Sequence, residues 1–224
     1  MVSYSRSQVI QFIKKILMFS LGQLILALGV TVSIKSNLGV SPINSVPFVI
    51  SQISKIDMGQ VVTTYFCCLL LLQVILLRRD FKLINLLQLV FSSLFGYFVT
   101  ASNSLLSGIA VQTNFIIQLL FLAISIVLVA IGLLLYLTAN IVPMPPEGTV
   151  KAISAKTGIE FAKLKVAFDC TAVAVSIVLS LIFFQALNGI GLGTILSAVF
   201  IGKTLGIISV WWKPSIQKRI LMPA

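Results

Sequence analysis

The sequence repeats itself at an offset of 103 residues, and a repeat of domain size constrains the fold more than any local motif. The matches that chance explains least well are Gly29 with Gly132, Asn37 with Asn140, Pro42 with Pro145, and Gly96 with Gly202. The last pair aligns after three extra residues in the second half, near residues 189–192. Matches between Leu and Ile carry little weight, because both residues are common in both halves. In an apolar chain, such a duplication is typical of transporters.

Apolar residues dominate the 224-residue chain, in which 58% of residues are hydrophobic and 9% are charged. Soluble domains carry about 25% charged residues. A transmembrane helix needs about 20 mainly apolar residues, and six stretches qualify or nearly do, at about 12–35, 59–77, 83–105, 115–138, 163–184 and 190–212. We therefore predict an all-α membrane protein with six transmembrane helices in a single membrane domain, residues 1–224.

Each half of the chain holds three of these predicted helices, with repeat one at about 12–105 and repeat two at about 115–212. Because three is odd, the second repeat crosses the membrane in the opposite direction, which predicts inverted repeats. The distribution of basic residues agrees with this inverted topology, since they precede the first predicted helix and follow the second, fourth and sixth. The residues that follow these three helices are, in order, Arg78, Arg79 and Lys82; Lys151, Lys156, Lys163 and Lys165; and Lys213, Lys218 and Arg219. Both termini are therefore predicted to be cytoplasmic, and the net charge of +11 needs no nucleic acid partner.

Between the first and second spans of each repeat lies a segment that is too long for a tight turn and too short to cross the membrane. We predict short helices at about 43–55 and 147–157, each of which is at most about 20 Å long. Ser41 followed by Pro42 is a plausible N-cap and first helical residue, and Pro145-Pro146-Glu147 is a similar start. Such a segment either lies in the headgroup region or re-enters the membrane and lines a cavity. Both alternatives stay open.

Several short motifs in these segments resemble the YczE/YitT-like family of bacterial integral membrane proteins. They are NLGVSP at 37–42, PPEG at 145–148, KTG at 156–158, KVAFD at 165–169 and GTIL at 193–196. The soluble C-terminal domain of YitT-type members has no counterpart here, which favours the YczE side of the family. The resemblance implies a multi-pass protein of the bacterial inner membrane and does not imply a substrate.

Three charged residues fall where a membrane protein ordinarily has none, and insertion of a charge costs about 2.5–3.5 kcal/mol. Lys203 lies near the middle of the sixth predicted helix, Asp169 lies inside the fifth, and Glu147 opens the second short helix. An ion pair between Asp169 and Lys203 would be purely structural. Alternatively, one or both face a substrate, with Asp169 as a proton or cation site.

The two short helices differ in charge at their N-termini. Glu147 complements the helix dipole of the second, whereas Ser41 and Asn44 leave the first open to an anionic group. If both segments re-enter, this asymmetry fits a small ligand of mixed polarity. The candidate substrate-binding residues are Asn37, Ser41, Asn44, Asn140, Glu147, Asp169 and Lys203.

Other residue types point to packing. The three cysteines, at positions 67, 68 and 170, lie in apolar stretches without metal-ligand spacing and are predicted to be buried. Small residues four apart in the sixth helix, among them the row of Ala198, Gly202 and Gly206, predict close packing on more than one side. The chain has no His and no catalytic constellation. We expect no enzymatic activity, no cofactor and no metal.

These features favour a transporter of a small polar molecule, with its site at the repeat interface near the membrane midplane and with alternating access. Two other functions stay open: a substrate-binding membrane subunit of an ATP-driven vitamin uptake complex, and a non-transporting membrane factor that assists a partner protein. The expected partners are the lipid bilayer and a small-molecule substrate. A homodimer and a complex with an energising partner both stay open.

Overall fold

The computed structural model describes the backbone of residues 6–216 and the side chains of residues 8–212. In this part of the chain the fold is entirely helical. The α-helices are α1 (Arg6–Ser36), α2 (Pro42–Ser54), α3 (Met58–Leu77), α4 (Leu87–Leu105), α5 (Phe115–Ala139), α6 (Pro145–Thr157), α7 (Phe161–Phe184) and α8 (Leu192–Ile216). Short 3-10 helices at Arg78–Asp80 and Leu83–Leu86 join α3 to α4.

Six of the helices are long and apolar enough to cross a membrane, namely α1, α3, α4, α5, α7 and α8. They confirm the six predicted spans, and the protein is an integral membrane protein. The predicted basic cluster at the C-terminal end cannot be placed, because Lys218, Arg219 and the side chain of Lys213 lie outside the described residues.

The short helices α2 and α6 have the predicted starts, with Ser41 and Met144 as N-caps and a proline as the first helical residue of each. Neither lies free on a surface, because most of the first two turns of each is buried among the long helices. Helix α2 packs on α3 and α7, and α6 packs on the same two helices. Of the two alternatives for these segments, this burial supports the one in which they line the interior.

The two halves repeat each other in packing as well as in sequence. Helices α1 and α5 cross at the centre, where Gly29 contacts Val129 and, at the equivalent positions, Gly132 contacts Leu26. A Cβ on Gly132 would lie 2.7 Å from the carbonyl oxygen of Gly22, so this crossing requires glycine. The contact of α1 with α4 corresponds to that of α5 with α8, and the contact of α2 with α7 to that of α6 with α3.

One pair of helices departs from this correspondence. Helices α3 and α4 pack along their length, whereas their counterparts α7 and α8 share almost no contacts in the described part of the chain. In the described part of the chain, the two halves therefore differ most at this interface.

The cysteines contradict the prediction that they are buried. Cys68 and Cys170 are exposed on the outside of the helix bundle, and Cys67 is partly exposed. A transmembrane helix is apolar on its lipid side as well as on its protein side, so an apolar sequence context does not distinguish a buried cysteine from a lipid-facing one.

Candidate functional site

A cavity of about 330 Å³ lies at the centre of the bundle, where both halves meet. We call it the central cavity. Its apolar wall comes from the four helices α1, α3, α4 and α5 together with α8, and includes Leu26, Phe66, Phe95, Leu133 and Ile201. Its polar groups come from the starts of α2 and α6, from one turn of α7, and from Ser197 of α8. Both short helices therefore begin at the same cavity.

The start of α2 contributes Ser41 and Asn44 to the central cavity. The Asn44 side chain is buried, and its Nδ2 donates a hydrogen bond to Ser41 Oγ at 2.8 Å. Its Oδ1 is buried and accepts no hydrogen bond. An unpaired buried acceptor costs about 1–3 kcal/mol, so this oxygen is ready to accept from a ligand.

The start of α6 contributes Glu147 at the position equivalent to Asn44. Its Oε2 is buried without a hydrogen-bond partner, and the Tyr136 hydroxyl, which also has none, lies close enough to interact with the Glu147 carboxyl group. Burial raises the pKa of the Glu147 carboxyl, and the Lys165 ammonium partly opposes that rise. The helix dipole favours a carboxylate at this end, and Glu147 also lines the cavity.

The third polar group is an ion pair within α7, in which Lys165 Nζ donates to Asp169 Oδ1 at 2.6 Å. The Lys165 side chain is 28% exposed and that of Asp169 is 27% exposed, and both residues line the central cavity. The structure therefore contradicts an ion pair between Asp169 and Lys203. The sequence reading overlooked Lys165 as a site residue, although its i, i+4 spacing from Asp169 is a recognised signal for a helical ion pair.

Lys203 does not line the central cavity. It is exposed on α8, with its Nζ 5.7 Å from the ring centroid of Phe200, which allows a cation–π contact. Successive residues on a helix differ in direction by about 100°. Gly202 faces the cavity, and Lys203, the next residue, points elsewhere.

Asn37 and Asn140 also lie outside the central cavity, since both are exposed at the ends of α1 and α5. They have positive φ angles of 59° and 48°, a conformation that asparagine tolerates better than most residues. Their match across the repeat therefore reflects a shared way of ending a helix. Of the seven predicted site residues, the structure brings together Ser41, Asn44, Glu147 and Asp169.

The central cavity reaches the outside of the bundle between α7 and α8. Val166, Ala198 and Gly202 line the cavity and are exposed at the same time, with Val166 64% exposed. We call this gap the α7–α8 opening. A Cβ on Gly202 or on Gly206 would meet no atom within 4 Å, so the prediction of close packing along this row of small residues is wrong for these two glycines.

A family model matches residues 13–210, and its description is a family of unknown function (DUF6198). The chain belongs to this family. The match spans both repeats and every residue of the central cavity. No curated protein and no solved structure matches the chain significantly. The membership assigns no substrate.

Proposed function

We propose that this protein transports a small polar molecule across the bacterial inner membrane, with the central cavity as its substrate site. The observation that carries the proposal is the meeting of two short helices, one from each inverted repeat, at one cavity with unpaired polar atoms. Discontinuous helices of this kind form the substrate sites of many secondary transporters. Movement of one repeat against the other would expose the cavity to each side of the membrane in turn.

The charges in the cavity support a site of this kind over a purely structural core. A membrane protein stabilised by packing alone has no need for Glu147, Lys165 and Asp169 at its centre, because each is costly to insert. Lys165 and Asp169 bond to each other, whereas Glu147 Oε2 and Asn44 Oδ1 are buried without a hydrogen-bond partner. A ligand with polar hydrogens would satisfy both.

Localisation and orientation belong to the same proposal. The motifs that resemble the YczE side of the YczE/YitT-like family favour a bacterial inner-membrane protein, and the basic loops favour cytoplasmic termini. A reporter enzyme active only outside the cytoplasm, fused after residue 224, should stay inactive. Fused in the loop at residues 106–114, it should be active. The reverse pattern would overturn the orientation.

Uptake into liposomes is the direct test. Purified protein in liposomes should show saturable uptake of at least one solute from a panel of amino acids, vitamins and organic cations. Glu147→Gln and Asp169→Asn should each lower that uptake at least tenfold without loss of folded protein. Lys203→Gln is the matched control, because Lys203 lies outside the cavity, and it should retain uptake. Absence of uptake and of ligand-induced thermal shifts across the panel would contradict the proposal.

Two outcomes would favour the other functions. Tight ligand binding without flux, together with copurification of a membrane partner and ATPases, would indicate a substrate-binding subunit. Retention of cellular function in all three charge-neutral variants would indicate a factor that assists a partner.

A further inference from the structure

The charges of the central cavity and its atoms without hydrogen-bond partners define the ligand more closely than the cavity volume does. Glu147 and Asp169 supply two carboxyl groups against the single ammonium of Lys165, so the cavity carries an excess negative charge when Glu147 is ionised, the state that a bound cation favours. Among the residues that line the cavity, two have a buried atom without a partner, and these atoms, Glu147 Oε2 and Asn44 Oδ1, can both act as acceptors. A group that carries positive charge and several N–H donors complements this arrangement, and an ammonium has both properties.

Apart from the hydroxyl group of Ser197, the rest of the cavity is apolar. Leu26, Phe66, Phe95, Leu133 and Ile201 offer no polar side-chain atom to a ligand, and they would bury a hydrocarbon portion at about 25 cal/mol per Å². A volume of about 330 Å³ lies at the small end of the range for small-molecule sites, roughly 300–1,000 Å³. The volume suits one short chain or one ring system.

The way in is also apolar. The α7–α8 opening is flanked by Val166, Ala198 and Gly202, on helices that cross the membrane. The opposite flank is closed, because Phe66 of α3 and Phe95 of α4 stack with ring centroids 5.8 Å apart. A solute that dissolves in the bilayer can therefore approach the cavity from the side.

We propose that the central cavity binds an organic ammonium with an apolar body, which enters laterally from the bilayer through the α7–α8 opening. This inference rests on the cavity as the substrate site of the proposed transporter, and it names the class of substrate. The ammonium contacts Glu147 and Asn44, and the apolar body lies against the aromatic wall. Free amines and the headgroups of ammonium lipids share this chemistry.

Binding of octylammonium to the protein in lipid nanodiscs is the first test, with octanol and octanoate as probes of the same chain length. We expect octylammonium to bind at least tenfold more tightly than either. Repeating the titration with phosphatidylethanolamine in place of phosphatidylglycerol separates the two sources. Competition by phosphatidylethanolamine identifies a lipid headgroup as the natural ligand, and its absence identifies a free amine. Equal binding of the three probes would overturn the proposal.

Charge variants separate an electrostatic site from a merely apolar one. Glu147→Gln and Asp169→Asn should each reduce octylammonium affinity about tenfold or more and leave octanol affinity nearly unchanged. Lys165→Gln should raise octylammonium affinity, because it removes the competing cation. Damage to packing would lower the affinity for all three probes together. A loss of affinity for octylammonium alone in Lys165→Gln would therefore contradict the proposed site.

Blocking variants test the lateral route. Val166→Trp should slow octylammonium association at least fivefold, because the indole fills the α7–α8 opening. Val175→Trp is the control, since Val175 is 43% exposed on the opposite side of α7 and lies outside the cavity lining. Equal association rates in both variants would exclude this entrance.

The outcomes also separate this inference from the proposed function. Binding of octylammonium with these preferences, but without uptake into liposomes, would leave the site intact and refute transport. Uptake of another solute in the absence of octylammonium binding would leave transport intact and refute the ammonium site.

Discussion

The interface of α3 with α4 and the gap between α7 and α8 occupy equivalent places in the two repeats, yet one is closed and the other is open. Gly59 and Gly96 let the backbones of α3 and α4 touch, and a Cβ on Gly59 would overlap the Gly96 carbonyl oxygen. Gly202, the counterpart of Gly96, meets open space. The same residue type serves close approach in one half and the wall of an opening in the other.

The difference extends to the side chains that face the cavity. In the first half, the stacked rings of Phe66 and Phe95 seal the interface. At the equivalent positions of the second half lie Asp169 and Ile201, both of which line the cavity. An aspartate in place of a phenylalanine exchanges packing energy for a charge that needs a partner. The repeat thus provides two versions of one interface, of which one is closed by packed aromatic rings and the other is open and carries a charge.

The largest expected effect on stability comes from the two matched glycines. Gly96→Ala should lower the free energy of unfolding by about 1–3 kcal/mol, because the new methyl group overlaps Thr63 and the Gly59 backbone. Gly202→Ala should leave it unchanged or raise it by up to about 1 kcal/mol through helix propensity. Denaturant unfolding in detergent, followed by circular dichroism, measures both. Equal losses would mean that α7 and α8 are packed in the resting state.

A second comparison uses the starts of α2 and α6. Because the folded-state pKa of Glu147 is raised by burial, the fold favours the protonated form more than the unfolded chain does. The stability that this group contributes is complete below its unfolded pKa and is lost as pH rises through the folded pKa.

Glu147→Gln should therefore raise the Tm relative to the parent, by an amount that grows with pH. Asn44→Ala, at the equivalent position of the first half, should change the Tm by the same amount at every pH. Thermal unfolding between pH 5 and pH 8 provides the measurement. A Tm difference for Glu147→Gln that does not depend on pH would contradict the burial of an ionisable carboxyl there.

The smallest expected effect concerns the N-caps of α3 and α7. Asp57 accepts a hydrogen bond from the Gly59 backbone at 2.8 Å and another from Thr100 of α4, so it ties α3 to α4. Its counterpart Glu160 makes no capping bond and pairs only with the exposed Lys163 at 3.8 Å. Asp57→Ala should cost about 1 kcal/mol, and Glu160→Ala no more than about 0.5 kcal/mol.

The same unfolding measurements test this pair of variants. A larger loss in Glu160→Ala than in Asp57→Ala would show that α7, rather than α3, depends on its cap. The comparison between the closed and the open interface would then be reversed at this end of the helices.

Much of the fold follows from the sequence, because hydropathy and helix-start signals act locally. The six spans, the prolines that begin α2 and α6, and the N-cap position of Ser41 are all of this kind. What the sequence does not reveal is which way each side chain points. Lys203 and Asp169 are both charges within spans, but only Asp169 faces the cavity.

The matched asparagines illustrate the same limit. A polar residue retained in both halves can bind a ligand or end a helix, and positive φ angles at Asn37 and Asn140 indicate the second role. The sequence also does not reveal the open interface between α7 and α8, because a row of small residues permits close packing without requiring it. Only the arrangement of neighbouring helices decides whether Gly202 is covered.

The crossing of α1 with α5 has a consequence for how the protein is made. The glycine face of α1 finds its partner only when the start of the second repeat has been synthesised, about 100 residues later. At roughly 5–20 residues per second, the first repeat waits in the bilayer for about 5–20 s with Gly22 and Gly29 against lipid. Until α5 is inserted, the first half lacks its central helix contact, so the nascent chain completes its fold late. A chain truncated before residue 139 would leave the first repeat without its complete partner helix.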